Sequence, residues 1–351
     1  MMTNQEAKDA LNKIIDKARV HLYKPIQIAE ILYRDRINKD VDLNDLESYR
    51  TKSRNWRDIV CLQFLGRTST SSARYQDDVF NENAVPPEAI KLLAQINKEN
   101  NGIVEEYIYT KFKQRFSQLS TGLDYCNTHD TESFMLVEFL EMFWLEPGLR
   151  RSIDKIYEII VYSIFSSIIE IIGLKIDAYI DESKLVVLNE FYGFAKKILG
   201  FSENQTKLTI PGKINRVGVT NAADRGLDMW SNFGLTIQVK HLSLTEELAE
   251  SIVNAVSSDR IILICKSSEE SVLLSILNQI GWKSKIQSIV TESELISWYE
   301  TALRGKYSKV IGDKLLQKIK NEIQVEFPTT DNTEFNNFLE LRKYRTNVTR
   351  F

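Results

Sequence analysis

At 351 residues, 43% hydrophobic and 26% charged, with six prolines and fourteen glycines, the chain has globular composition and length enough for two or three domains. Collagen-like, disordered and disulfide-scaffold proteins are excluded. The 45 basic and 48 acidic side chains leave a formal charge of −3, which argues against a lysine-coated, non-specific polyanion binder but allows a local basic patch.

Met1 to Asp16 is polar and helical in pattern, with neither the apolar core nor the cleavage site of a secretory signal. Cys61, Cys126 and Cys265 are odd in number and far apart, as expected of reduced thiols in a cytoplasm. Residues 1–84 predict a helix at Pro25–Arg36, a short one at Leu43–Tyr49 and a third at Ser53–Leu65, then a polar hairpin-like segment to Phe80. Between positions 50 and 74 lie Arg50, Lys52, Arg54, Arg57, Arg67 and Arg74, opposed by the single acid Asp58. Tyr49, Trp56, Tyr75 and the hydroxyl run from Thr68 and Ser69 to Ser72 are interleaved with them. Arginines and hydroxyls in this mixture suit phosphate oxygens, and arginine also reads guanine. The order suggests a winged helix-turn-helix, with Ser53–Leu65 entering the major groove and Thr68–Tyr75 as the wing. A solvated basic face on a small helical domain is the plainer alternative.

Residues 85–180 are helical in pattern. Pro86 and Pro87 open one helix, Glu105–Phe116 and Glu132–Trp144 suit two more, and Ile153–Ile172 forms a long one closed by Gly173. The apolar run from Ile156 to Ile176 is broken by Glu158 and Glu170, leaving eleven uncharged residues where a membrane span needs about 20. It reads as a buried helix.

From Asp181 the pattern turns to mixed α/β. A helix at Lys184–Leu199 stops at Gly200, and strands follow at Ile214–Thr220, Leu227–Trp230 and Leu235–Lys240. A helix at Thr245–Val256 carries Ser243 and Glu246 at capping-box spacing. Strand Arg260–Cys265, helix Glu269–Ile280, strand Ile286–Val290 and helix Ser293–Leu303 complete the series. Ser231–Gly234 is turn-forming, so its flanking strands should pair as a hairpin. Period-two alternation puts Gln238 and Lys240 on one face of the second strand, within reach of Asp228 on the first. A carboxylate, an amide and an ammonium group then converge. Phosphodiester hydrolysis uses such a set: the carboxylate holds a hard divalent cation, and the lysine steadies the attacking water or the developing charge.

This constellation resembles the PD-(D/E)xK nuclease signature in its Gln-x-Lys form, Gln238-Val239-Lys240. The resemblance covers about 181–303. It implies an α/β restriction-endonuclease-like core, with Asp228 and the main-chain carbonyl of Val239 as ligands of magnesium. Glutamine brings no charge, so a second carboxylate is expected elsewhere. Glu190 fits, on a helix where its apolar neighbours Val187 and Phe194 predict a partly buried face. Asp224 competes with Asp228 as the metal aspartate, but lies outside the predicted strand.

Lys24 to Arg36, Tyr49 to Arg57 and Gly66 to Asp78 resemble the HaeII family of type II restriction endonucleases. That resemblance extends over nearly the whole chain. It implies Mg2+-dependent double-strand cleavage of DNA at a short palindrome containing GCGC, with a cognate methyltransferase protecting the host. A palindromic target implies a homodimer. The expected organisation is therefore a winged-helix-like recognition module at 1–84, a helical block at 85–180, the nuclease core at 181–305, and a C-terminal helix and tail at 306–351. A methylation-dependent or branched-DNA nuclease on the same core, and a non-catalytic DNA-binding regulator, are the alternatives. Cys126 and His129 supply only two of the four ligands zinc needs. His241 is read as a strand-end histidine and His21 as a helix-surface one. No P-loop, dinucleotide fingerprint or Gly-x-Ser-x-Gly elbow is present.

Overall fold

The computed structural model describes residues 2–18, 22–66, 68, 79–145, 152–217, 227–256, 258, 260–269, 272, 285–327 and 332–344, with 117–119 and 332 in backbone only. It divides into two compact units, one built on residues 1–156 and 320–351, the other on 157–218 and 225–319. No helix among the described residues is long and apolar enough to cross a membrane.

The described part of the first unit is helical: α1 (Asn4–Lys17), α2 (Tyr23–Tyr33), α3 (Leu46–Tyr49), α4 (Lys52–Leu65), α5 (Pro87–Glu99), α6 (Ile103–Thr128) and α7 (Leu136–Leu145). α1 starts at a capping box, with Glu6 N–H donating to Thr3 Oγ1 at 3.2 Å and Thr3 N–H to Glu6 Oε2 at 2.7 Å. Ala7, Leu11, Ile14 and Ile15 give it one buried face. α7 starts at Leu136 and not Glu132, because Asp130 Oδ1 accepts from the N–H groups of Glu132 and Ser133 and closes a turn first. Gly122 lies where α6 meets α7: a Cβ there would stand 2.4 Å from Phe143 Cζ.

The C-terminal helix, Asn332–Leu341, belongs to this unit. Phe335 and Phe338 pack edge-on against Phe64 of α4, at 5.2 and 5.5 Å between ring centroids. Beside them two buried carboxylates are neutralised. Glu30 accepts from Tyr109 Oη at 2.5 Å and Arg342 Nη2 at 2.9 Å. Glu105 takes a two-pronged pair from Arg36, both bonds 2.9 Å, plus Asn97 Nδ2 at 2.6 Å and Tyr344 Oη at 2.8 Å.

The second unit is built on a five-stranded sheet in the order β3 (Ile214–Arg216), β4 (Met229–Ser231), β5 (Thr236–Leu244), β6 (Ile261–Ser268), β7 (Ile286–Thr291). β3, β4 and β5 run antiparallel, and β5, β6 and β7 parallel. On one face Leu263 and Cys265 meet Ala249, Ile252 and Val253 of α10 (Glu246–Ala255). On the other, Ile237 and Ile262 face Phe165 and Ile168 of α8 (Ile153–Ile172) and Trp298 of α11 (Glu292–Arg304), around an apolar cavity of about 520 Å³. α10 is capped by Thr245, whose side chain accepts from Leu248 N–H at 3.3 Å, and not by Ser243 as expected. The helix predicted at Glu269–Ile280 lies almost wholly outside the described residues.

In the remaining part of this unit the helix before Gly200 was expected and the two strands that flank it were not. β1 (Lys175–Tyr179) and β2 (Lys207–Pro211) form a separate antiparallel ribbon, and between them run α9 (Leu185–Glu190) and further helical turns to Leu199. Gly200 ends them at φ +80°, as its position predicted.

Along α8, Glu170 is held by Lys314 and Lys318 of α12 (Ser308–Glu326) and by Ser166 Oγ at 2.9 Å. Burial raises its carboxyl, but bonds from Lys314, Lys318 and Ser166 outweigh that and hold it down at about 2. A depressed carboxylate contributes stability above its unfolded value, and that contribution is lost as pH falls toward 2. Thermal melts of the wild type should show this loss between about pH 4.5 and 2, and melts of Glu170→Gln a shallower slope across the same interval. Equal slopes would contradict the assignment.

Candidate active site

Asp228, Gln238 and Val239 are brought together by the register of the hairpin. β4 and β5 pair Met229 with Ile237, so one step along the ladder sets Asp228 opposite Gln238. There the strands part. Asp228 C=O still accepts from Val217 N–H at 2.9 Å, on the β3 side. Its carboxylate turns the other way: Oδ2 accepts from Val239 N–H at 2.8 Å and from the Gln238 side-chain amide. The carboxylate thus takes the acceptor place that a ladder carbonyl would otherwise fill. A strand residue directs its N–H and C=O to the same side. The Val239 carbonyl therefore also faces the edge that Asp228 occupies.

Asp228 and Gln238 are buried, and Lys240 is half-buried two residues further on. Lys240 pairs with Cys265 across the β5–β6 ladder, and Gln238 with Leu263, which places both on the α10 face as alternation predicted. Directly after Lys240 the register slips, with three steps from Lys240 to Ser243 matched by two from Cys265 to Ser267. Such a bulge interrupts regular pairing beside Lys240, and the ladder resumes at Ser243 and Leu244. Lys240 has no ion pair among the described residues.

His241 turns to the opposite face. It is buried, with its ring edge-on to Tyr157 at 4.9 Å and Nε2 3.4 Å from Glu292 Oε2. This agrees with a packing role for a strand-end histidine. Glu190 is less simply placed. The partly buried face expected around it is absent: Glu190, Val187 and Phe194 are all exposed, because the helix buries only Leu188 and Ala195. Glu190 makes no hydrogen bond or ion pair with Asp228, Gln238 or Lys240. Asp224 lies outside the described residues. Among those described, no three His, Cys, Asp or Glu side chains are grouped to hold a metal. One buried carboxylate beside a carbonyl still fits a hard cation such as magnesium, which keeps several waters and takes one or two protein carboxylates.

The basic stretch divides. Lys52 is exposed and Arg54 half-exposed at the start of α4, and Thr68 is exposed, its carbonyl accepting from Tyr23 Oη at 3.3 Å. Arg50 pairs with Glu47 at 3.1 Å, and Trp56 stacks under the Arg34 guanidinium at 4.3 Å. Arg57 is a correction. Only 3% exposed, it binds Asp58 at 2.7 Å and is a packing residue. The period of the buried positions Ser53, Arg57, Val60, Cys61 and Phe64 puts it inside. Sequence reading missed Ile59 and Leu62, apolar yet exposed on the outer face of the same helix. Arg67, Ser69 and Arg74, and most of the expected wing, lie outside the described residues.

A mixed sheet that parts at a buried aspartate, with Gln-x-Lys on the next strand, is consistent with a nuclease core. The sequence model of the HaeII restriction endonuclease matches residues 7–344, and the chain belongs to that family. It is 59% identical to the type II restriction enzyme HaeII of Haemophilus aegyptius over 340 residues, covering 97% of each chain. It is 55% identical to the type II restriction enzyme NgoBI of Neisseria gonorrhoeae, across 100% of this chain and 99% of that one. No solved structure matches it.

Proposed function

We propose that the protein is a cytoplasmic type II restriction endonuclease that cuts both strands of duplex DNA at a short palindrome containing GCGC. In this reading it requires Mg2+, acts as a homodimer, and is matched by a methyltransferase that modifies the same site. The observation that carries the proposal is the Asp228 carboxylate at the parted strand edge with Lys240 beside it, in a chain of this family.

Asp228 and the Val239 carbonyl would hold the cation, with Glu190 as the second carboxylate. When bound, the cation polarises the scissile phosphate and lowers the pKa of water. Gln238 donates its amide to Asp228, holding that carboxylate aimed without a second negative charge beside it. Lys240, which has no ion pair among the described residues, orients the attacking water and stabilises charge developing on the phosphate. Release of the 3′ oxygen leaves 5′-phosphate and 3′-hydroxyl ends. Arg50, Lys52, Arg54, Trp56, Thr68 and, beyond the described residues, Arg67, Ser69 and Arg74 form the DNA-contacting surface.

Three plasmids test the proposal, one with an unmethylated GCGC-containing palindrome, one with it methylated and one with it scrambled. Linearisation of the first alone is expected, and no cutting of it by folded protein would overturn the reading. Arg54→Ala should lower the preference for the cognate over a one-base-changed site by about 10- to 100-fold. An unchanged preference would remove Arg54 from recognition. Arg57→Ala should instead lower the melting temperature.

A further inference from the structure

The ribbon and its helix, residues 175–211, expose far more apolar surface than they bury. Every residue of β1 and β2 is exposed except Ile176 and Leu208. The helical part buries Leu188 and Ala195, yet Val186, Val187, Phe191, Phe194, Ile198 and Leu199 are 44–80% exposed. These six present on the order of 600 Å² of apolar surface, the upper end of what monomers leave open and approaching the roughly 800 Å² per partner of a stable interface.

The arrangement indicates what covers it. Val187, Phe191, Phe194 and Ile198 are spaced four, three and four residues apart, the spacing of a helix-pairing seam. Helical hydrogen bonds from Phe191 N–H to Val187 O at 3.0 Å and from Ala195 N–H to Phe191 O at 2.9 Å carry the thread past the break at Phe191, and Ile198 follows in the π-helical turn Ala195–Leu199. This spacing reads the same in both directions. Two copies laid antiparallel about a two-fold axis therefore set Val187 against Ile198 and Phe191 against Phe194. Glu190 lies toward one end of the seam and Lys196 and Lys197 toward the other. Antiparallel pairing brings acid beside base and opposes the helix dipoles, whereas parallel pairing does neither.

We infer that this arm is a self-association surface, and that its occupant is the same arm of a second copy of the chain. The inference deepens the homodimer of the proposed function and rests on that reading for its purpose, though not for its geometry. Sedimentation of the full chain at micromolar concentration should give a dimer. Phe194→Lys, and separately Val187→Lys with Ile198→Lys, should raise the dissociation constant at least 100-fold while the far-ultraviolet circular-dichroism spectrum stays unchanged, since these side chains are already exposed in the single chain.

A second arm needs no disruption. Phe191→Cys chains mixed with Phe194→Cys chains should cross-link on mild oxidation, and either alone should not, the native thiols all being buried. Glu190 is left unaltered because it also figures in the cation proposal. A monomeric wild type would overturn the inference, as would a dimer indifferent to both lysine variants whose mixed cysteine chains fail to cross-link. A dimer disrupted as described that cuts no DNA would instead overturn the proposed activity alone.

Discussion

Lys240→Ala is expected to lower cleavage at least about a thousand-fold while DNA binding and thermal stability stay close to wild type. The two halves of this result have separate causes. Lys240 has no ion pair among the described residues and sits where the β5–β6 register slips, so truncating it leaves no buried charge without a partner. Its cost falls on the transition state, where a positioned ammonium group meets charge that the ground state lacks. Filter binding in calcium, cleavage in magnesium and a melting curve on one preparation separate the cases. Retained cleavage would remove Lys240 from the mechanism. A large fall in melting temperature would mean that the lysine holds the sheet together.

Arg36→Met should destabilise the first unit by about 3–5 kcal/mol, because it strands a buried carboxylate. Glu105 is fully buried, and Arg36 meets it through two bonds of 2.9 Å. Room for that guanidinium comes from Gly102: at φ +95° it adopts a conformation that other residues resist, and a Cβ there would lie 2.8 Å from Arg36 Nη2. Asn97 and Tyr344 still donate to Glu105 in the variant, but neither carries charge. Adding Glu105→Gln should therefore recover much of the loss. Denaturant melts of the single and double variants read this directly. A neutral single variant, or a double variant as unstable as the single, would contradict the account.

Much of the geometry of the candidate site was legible in the sequence, because alternation along a strand and the register of a short hairpin are local. Gln238 and Lys240 share a face, and Asp228 meets the second strand, for reasons confined to residues 228–240. The helix ending at Gly200 was equally local. What could not be read depends on partners distant in sequence. Arg57 reads as available to DNA in the sequence, but Asp58 and Gln27 bind it. The C-terminal helix seemed an appendage, yet Arg342 and Tyr344 complete two buried carboxylate sites near the start of the chain.

The ribbon of β1 and β2 escaped notice because neither strand buries a face, so the alternation that betrays most strands is missing. The helix between them misled in the opposite direction. Its apolar stripe at helical spacing reads as a core face, but Val187, Phe191, Phe194 and Ile198 are left exposed. Gln238 in place of a second acid also gains a physical reason. An amide satisfies Asp228 across the strand gap where another carboxylate would repel it.

The central claim is that Asp228 and Lys240 cut DNA with a divalent cation. It is tested most directly by digesting unmethylated phage DNA with wild type and Asp228→Asn in parallel, each in magnesium and in chelator. Discrete fragments from the wild type in magnesium, and intact DNA in the other three reactions, are the predicted result. Discrete fragments from Asp228→Asn in magnesium, or from the wild type in chelator, would contradict it.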